Sequence, residues 1–289
     1  MTGKTRTGGY SIGFRRGWSD WQKDLGTVVK FAKDNGFGAI DLGGDGDKAG
    51  KDVVAAGLRI GSVDLLDWGG MISPDKGKRD AAVAKNMEYV KACAAFGPVN
   101  YFCVMLPEKK DQKRSENFGF MVESFAALAP AMEKAKARLV VEGWPGPGAL
   151  VCNPCEFREF FKKVPSKAMG VNFDPSHLIR MGIDPIRFLL EFKDRVYHIH
   201  GKDTELFPDA LQEYGNLLPA PKGHGFGEAV WRYTIPGHGV MSWITAFGIL
   251  KDSGYSGCVS IELEDENFNG SESGEKTGFI LGRAYLEGC

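Results

Sequence analysis

The sequence predicts a single (β/α)8 barrel over residues 1–289. Three observations carry this reading. Apolar strand-like runs alternate with amphipathic helical stretches from end to end, and eight such runs can be counted. A chain of 289 residues suits one α/β barrel. No glycine fingerprint of the dinucleotide or phosphate-loop type follows any strand, which counts against an open, doubly wound sheet.

The elements follow in order. Tyr10 to Phe14 is the first strand. Trp21, Leu25, Val28, Val29, Phe31 and Ala32 recur with helical spacing over Trp18 to Asn35, and Gly36 ends the helix. Gly38 to Leu42 is the second strand, with a short helical region over Gly43 to Ala56. Leu58 to Leu66 is the third strand, Pro74 to Ala95 a helix, and Val99 to Leu106 the fourth strand. Asn117 to Ala135 is helical and leads into the strand ending at Glu142. Asn153-Pro154 and Asp184-Pro185 each pair a capping side chain with a first-turn proline, so each starts a helix. The strands ending at Asp174, His200 and Glu262 complete the eight.

Gly201 to Val240 breaks the rhythm. Roughly forty residues, rich in Gly and Pro, separate the seventh strand from the helix near Trp243. A structureless loop of this length is expected to be a lid over the face where the strands end.

Composition narrows the class. A content of 43% hydrophobic and 25% charged residues describes an ordinary globular chain. A net charge of -1 gives no electrostatic reason to expect nucleic acid or an anionic membrane. No apolar run reaches the ~18 residues of a membrane span, and Met1 to Gly9 has no signal-peptide core. The cytoplasm is the expected compartment. The six cysteines form no disulfide framework. Cys103 and Cys258 fall in strands and read as small buried hydrophobes, and Cys152-Asn153-Pro154-Cys155 has redox-motif spacing but no second pair for zinc.

Chemistry gathers at the strand ends. Leu139-Val140-Val141-Glu142, Met169-Gly170-Val171-Asn172-Phe173-Asp174, Val196-Tyr197-His198-Ile199-His200 and Val259-Ser260-Ile261-Glu262 each finish an apolar run on a metal-ligand side chain. Three carboxylates at one barrel mouth repel one another, so either their pKa values rise or a cation sits among them. Three oxygen donors and one imidazole, without thiolate, favour Mn2+ first, then Mg2+ or Co2+, with Zn2+ behind them. Residues two apart on a strand share a face, so Val140, Asn172, His198 and Ser260 are expected in the layer beneath. The alternative is a set of unrelated salt-bridge partners and caps.

His177 begins the loop above this ring and is expected to bond a substrate oxygen, unless it only caps a helix start. Lys202 is placed to polarise a carbonyl, with Asp203 holding the lysine or a hydroxyl. A surface ion pair is the other reading of those two. Trp144 is either a stacking face for a sugar or core. Arg232, His224 and His238 in the long segment are weaker candidates.

Glu142, Asp174-Pro175-Ser176-His177, His198-Ile199-His200 and Glu262, in this order, resemble the xylose-isomerase-like barrels. That superfamily includes sugar isomerases and epimerases, inosose dehydratases and endonuclease-IV-like enzymes. The resemblance covers essentially the whole chain. It implies one divalent ion on Glu142, Asp174, His200 and Glu262, proton shuttling by the two glutamates, and substrate binding by His177. The two sites where ketose 3-epimerases carry a further Glu and an Arg are Gly148 and Leu206 here. His200-Gly201-Lys202-Asp203 is instead similar to the inosose-dehydratase-like members. The stretch from Trp231 to Gly239 resembles that of barrels acting on keto-sugars and keto-glycosides.

The resemblance therefore implies proton abstraction next to the carbonyl of a keto-sugar. Epimerisation or isomerisation is the first expectation. β-Elimination on a keto-sugar or 3-keto-glycoside is the alternative. An endonuclease is disfavoured by the five histidines and the net charge of -1. No Lys/Arg cluster or glycine-rich helix start stands at the strand ends, so a non-phosphorylated sugar is the expected partner, with neither nucleic acid nor membrane. A homo-oligomer or an accessory subunit stays open.

Overall fold

Strand and helix alternate along the chain in the computed structural model, which describes residues 2–217 and 222–289. The strands are β1 (Ser11–Arg15), β2 (Ala39–Asp41), β3 (Arg59–Ile60), β4 (Val63–Asp64), β5 (Asn100–Val104), β6 (Arg138–Glu142), β7 (Met169–Phe173), β8 (Val196–Gly201), β9 (Asp203–Leu206), β10 (Trp231–Thr234) and β11 (Cys258–Ile261). With β3 and β4 taken as one position, β1 to β8 and β11 supply the eight strands of a (β/α)8 alternation. The expected third strand, Leu58 to Leu66, is two short pieces because Gly61-Ser62 interrupts it. The expected helix over Trp18 to Asn35 is also two, Asp20–Lys23 and Leu25–Asp34. Asp24 restarts it by accepting from the Thr27 N–H at 2.8 Å.

The chain divides into two compact units. One comprises Met1–Asp41, Asp174–Lys193 and Ile199–Cys289, the other Leu42–Phe173 and Asp194–His198. In the first unit β2, β1, β11 and β8 lie side by side and parallel. Phe14 pairs with Ile261, and Ile261 pairs with Gly201. Arg15, Glu262 and Lys202, each one residue further on, thereby emerge at neighbouring strand ends. Gly13 has no room for a side chain, since a Cβ there would lie 2.6 Å from the Ala39 carbonyl oxygen. Behind this ladder Phe14, Phe31, Phe37 and Phe279 pack with ring centroids 4.7 to 6.3 Å apart.

In the second unit β4, β5, β6 and β7 form a parallel ladder. Its register sets Glu142 between Val104 and Asn172. Asn153 starts the helix Pro154–Lys163 as expected, accepting from the Glu156 N–H at 3.1 Å.

The segment from Gly201 to Val240 is not the structureless loop the sequence suggests. β9 and β10 pair antiparallel within it, Asp203 opposite Thr234 and Leu206 opposite Trp231, and a helix spans Pro208–Tyr214. Trp231-Arg232-Tyr233-Thr234 has the aromatic and β-branched content of a strand, which the surrounding glycines and prolines mask. Residues 218–221 of the expected lid lie outside the described residues. No helix among the described residues is long and apolar enough to cross a membrane.

Candidate metal centre and catalytic site

Asp174 sits one residue past β7 and caps the helix Pro175–Arg180. Its Oδ1 accepts from the Ser176 N–H at 2.9 Å and from the Ser176 hydroxyl at 2.6 Å. That cap fixes the carboxylate. Oδ2 is buried and accepts no hydrogen bond. Around it lie Lys202 Nζ at 3.2 Å, His177 Nε2 at 3.4 Å and His200 Nδ1 at 4.0 Å.

His200 stands between two carboxylates. Its Nδ1 is 3.3 Å from Glu262 Oε2, and its Nε2 is 3.5 Å from Asp41 Oδ2. Asp41, at the end of β2, is itself held by the Ser260 hydroxyl, which donates to Oδ1 at 2.7 Å. An imidazole with one nitrogen toward the ligand cluster and the other toward an anchored carboxylate is the usual arrangement of a metal-binding histidine.

Glu262 is ringed by cations. Lys202 Nζ donates to Oε2 at 2.5 Å, and Arg15 Nε lies 3.3 Å from Oε1. Burial alone pushes its carboxyl up. Lys202, His200 and Arg15 overcome that and hold it well below the usual carboxylate range, so it is ionised at neutral pH. Lys202 also donates to Glu264 at 2.9 Å, and its ammonium lies 4.6 Å from the centre of the Tyr233 ring. The Tyr233 hydroxyl is 2.6 Å from His177 Nδ1. Burial pushes the Tyr233 phenol far above its ordinary range, against the pull of Lys202 and Arg180, so it remains a neutral hydroxyl.

The donor set fits a divalent ion. Ligand atoms of Asp174, His177 and Glu262 lie within 4.8 Å of one another. The buried Asp174 Oδ2, the ionised Glu262 and the His200 imidazole supply hard oxygen and borderline nitrogen donors without thiolate. Lys202 already brings one positive charge among these carboxylates, so an ion entering here shares them with an ammonium.

Glu142 belongs to the second unit. It ends β6, is buried, and accepts from Asn172 Nδ2 at 2.8 Å through Oε2. In the same unit Trp144 packs with Trp68 around Phe102, Val104 and Val140. His198 is fully buried two residues before His200 on β8.

The remaining predicted residues lie elsewhere. Asp203 opens β9, paired with Thr234 of β10, and is buried. It accepts from the backbone N–H groups of Thr204, Gly237 and Met241 and from the Trp243 indole, at 2.8 to 3.4 Å. Gly239 allows this closeness, because a Cβ there would lie 2.2 Å from Asp203 Oδ1. Burial still raises the Asp203 carboxyl above its ordinary range. Arg232 is paired with Glu205 at 2.7 Å and Glu266 at 3.1 Å. His224 stacks on Phe207 with centroids 4.2 Å apart, and the His238 ring lies 6.0 Å from Phe268.

Three residues of the cluster were not singled out from the sequence: Arg15, Asp41 and Glu264. Asp41 ends β2, although the apolar run read from the sequence continues one residue past it to Leu42. Arg15 ends β1 in the same way. Tyr233 lies in the Trp231 to Gly239 stretch already singled out, but its place beside His177 depends on the β9–β10 pairing.

Strand-end carboxylates and an imidazole thus stand on a parallel β/α framework as a group that could hold a metal ion. The chain belongs to the family described as xylose isomerase-like TIM barrel, which matches residues 26–286. It is 36% identical over 99 residues to the uncharacterised protein YfiH of Bacillus subtilis (strain 168), covering 34% of this chain and 31% of that protein. It is 31% identical over 94 residues to an inosose dehydratase of Lacticaseibacillus casei, covering 32% of this chain and 30% of that protein. The matched stretch thus spans under a third of the length of these relatives. Among solved structures, 3-keto-D-glucoside 4-epimerase YcjR from E. coli superposes with a TM-score of 0.70 at 14% identity, covering 97% of this chain and 100% of that one. This likeness shows the fold.

Proposed function

We propose that the protein is a divalent-metal-dependent isomerase or epimerase acting on a non-phosphorylated keto-sugar by removing the proton next to the carbonyl. The observation that carries the reading is the arrangement around Asp174 Oδ2, a buried carboxylate oxygen without a hydrogen bond, with His200 and the ionised Glu262 beside it. Glu142, Asp174, His200 and Glu262 would hold the ion, Mn2+ by preference, with Mg2+ or Co2+ as substitutes. A bound ion supplies Lewis-acid polarisation of the substrate carbonyl, which acidifies the adjacent C–H.

The chain's own groups do the rest. One of Glu142 and Glu262 takes the proton from the carbon α to the carbonyl, and the C–H electron pair moves toward the carbonyl oxygen. The other glutamate, which enters the step carrying a proton, returns it to the opposite face, which inverts the centre. His177, held by the Tyr233 hydroxyl, presents its Nε2 edge to a substrate oxygen. The Lys202 ammonium stabilises negative charge that develops there.

A second reading has its own support. The Lys202 ammonium is fixed at the site by Glu262 and Glu264, where it can donate a proton to a departing oxygen. The similarity to an inosose dehydratase points the same way. In that case the same proton abstraction is followed by loss of a β-substituent from a keto-sugar or keto-glycoside. Incubation with 3-keto-glucose and with a 3-keto-glucoside separates the two. A stereoisomeric product supports epimerisation, and an unsaturated sugar or released aglycone supports elimination. No reaction with either substrate under Mn2+, Mg2+ or Co2+ contradicts both.

A further inference from the structure

A cavity of about 290 Å³ opens on the Arg15 side of Glu262. It is close to the low end of small-molecule sites, which run from ~300 Å³ upward. It shares Arg15, Glu262 and Glu264 with the ligand cluster, but its other walls come from the segment after β1, the turn at Phe226 and the start of the last helix. A substrate reaching Glu262 therefore has room for a group beyond the reacting carbons.

Two exposed aromatic side chains line this cavity. Trp18 is 82% exposed and Phe226 is 43% exposed. Both are held on fixed backbone. Glu275 Oε2 accepts from the Ser19 hydroxyl at 2.6 Å, the Trp21 indole at 2.7 Å and the Gln22 amide at 3.0 Å, which pins the turn that carries Trp18. Phe226 sits at a φ of +57°, a conformation disfavoured for an aromatic residue, and its carbonyl accepts from the Tyr233 N–H at 3.0 Å. Trp18 and Phe226 thus offer two exposed aromatic faces at one cavity, where a ring can stack.

Charge selects the ligand. Glu262, Glu264 and Glu275 line the cavity against Arg15 and Arg16. The Arg16 guanidinium donates to the carbonyls of Gln22 and Lys23 at 2.7 and 2.8 Å. An anionic group such as a phosphate meets an excess of carboxylate here. An uncharged ring does not, and its hydroxyls can donate to Glu264, which is about a third exposed at its side chain and offers acceptor oxygens.

We infer that this cavity is a subsite for the second, uncharged ring of a glycoside, stacked against Trp18 and Phe226. The inference rests on the keto-sugar reading above and narrows it to keto-glycosides with a ring-sized aglycone.

Two measurements on the metal-loaded protein test it. The first compares kcat/KM for phenyl 3-keto-β-glucoside and for 3-keto-glucose in wild type and in Trp18→Ala. The expected result is that the glycoside-to-monosaccharide ratio falls about tenfold in the variant, mostly through KM. An unchanged ratio overturns the subsite. The second measures calorimetric binding of phenyl β-glucoside, which carries no carbonyl to react. Wild type should bind it about tenfold more tightly than Trp18→Ala and Phe226→Ala do. Equal affinity, or no binding by wild type, overturns the subsite. If neither keto compound turns over, the keto-sugar reading fails, and the calorimetry alone decides the subsite. Circular dichroism confirms that the variants are folded.

Discussion

Lys202 Nζ donates to Glu262 Oε2 at 2.5 Å, and the two residues follow the paired Gly201 and Ile261 at neighbouring strand ends. The strand register thus delivers an ammonium into the carboxylates that would hold a metal ion. Asp174 and Glu264 share the same cation at 3.2 and 2.9 Å.

Replacing that ammonium should expose the charge crowding. Lys202→Met leaves Asp174, Glu262 and Glu264 without their shared cation, and removing one partner of a buried pair costs about 3–5 kcal/mol. The metal-free variant should melt well below wild type. Mn2+ at about a hundred times its Kd should return roughly 2.7 kcal/mol. Thermal denaturation with EDTA and with Mn2+ checks both halves, and a variant as stable as wild type in EDTA contradicts the charge argument.

Glu142→Gln and Glu262→Gln should each cut turnover by roughly a thousandfold, because a proton carrier and a charged ligand go together. Steady-state rates should be paired with metal analysis. Near-normal turnover at full metal occupancy in either variant would remove that glutamate from proton transfer.

The strand-end placement of the four expected ligands is legible in the sequence. Glu142, Asp174, His200 and Glu262 lie within one residue of their strands' ends, where runs of apolar residues stop. The ladder order and the Gly and Pro punctuation carry the fold in the same local way. Asp41 follows the same rule only in the structure, because the apolar run read from the sequence continues one residue past it to Leu42. The place of Tyr233 beside His177 and the true setting of Asp203 were not legible, since both depend on β9 and β10 pairing across more than twenty intervening residues. Long-range pairing leaves no local pattern, and the glycines and prolines around it imitate a loop.

Tyr233→Phe should act through His177. The hydroxyl at 2.6 Å from Nδ1 fixes the imidazole, so its loss should lower kcat/KM by roughly tenfold while metal content stays at the wild-type level. His177→Ala should lower it further. The double variant should be no worse than His177→Ala, the non-additivity expected of residues acting as one unit. Additive losses would assign Tyr233 an independent role.

Asp203 gives a pH dependence with a definite sign. Burial raises its carboxyl above the ordinary value, although three backbone N–H groups and the Trp243 indole oppose the shift. A raised carboxyl favours the folded state fully below the unfolded-state pKa, about 4. That contribution is lost as pH climbs through the raised folded value. The stability of wild type relative to Asp203→Asn should therefore decline from about pH 4 upward and then level off. Paired denaturation curves across that range check the slope, and a rising difference would contradict it.

The central claim is proton abstraction next to a sugar carbonyl at this metal site. Its most direct test is mass spectrometry of the product formed from 3-keto-glucose or a 3-keto-glucoside in deuterium oxide, with Mn2+ and with EDTA. The prediction is solvent deuterium at the carbon beside the carbonyl with Mn2+, and neither product nor label with EDTA or in Glu262→Gln. Full turnover in EDTA, or a stereoisomeric product formed with Mn2+ but without solvent label at that carbon, would contradict it.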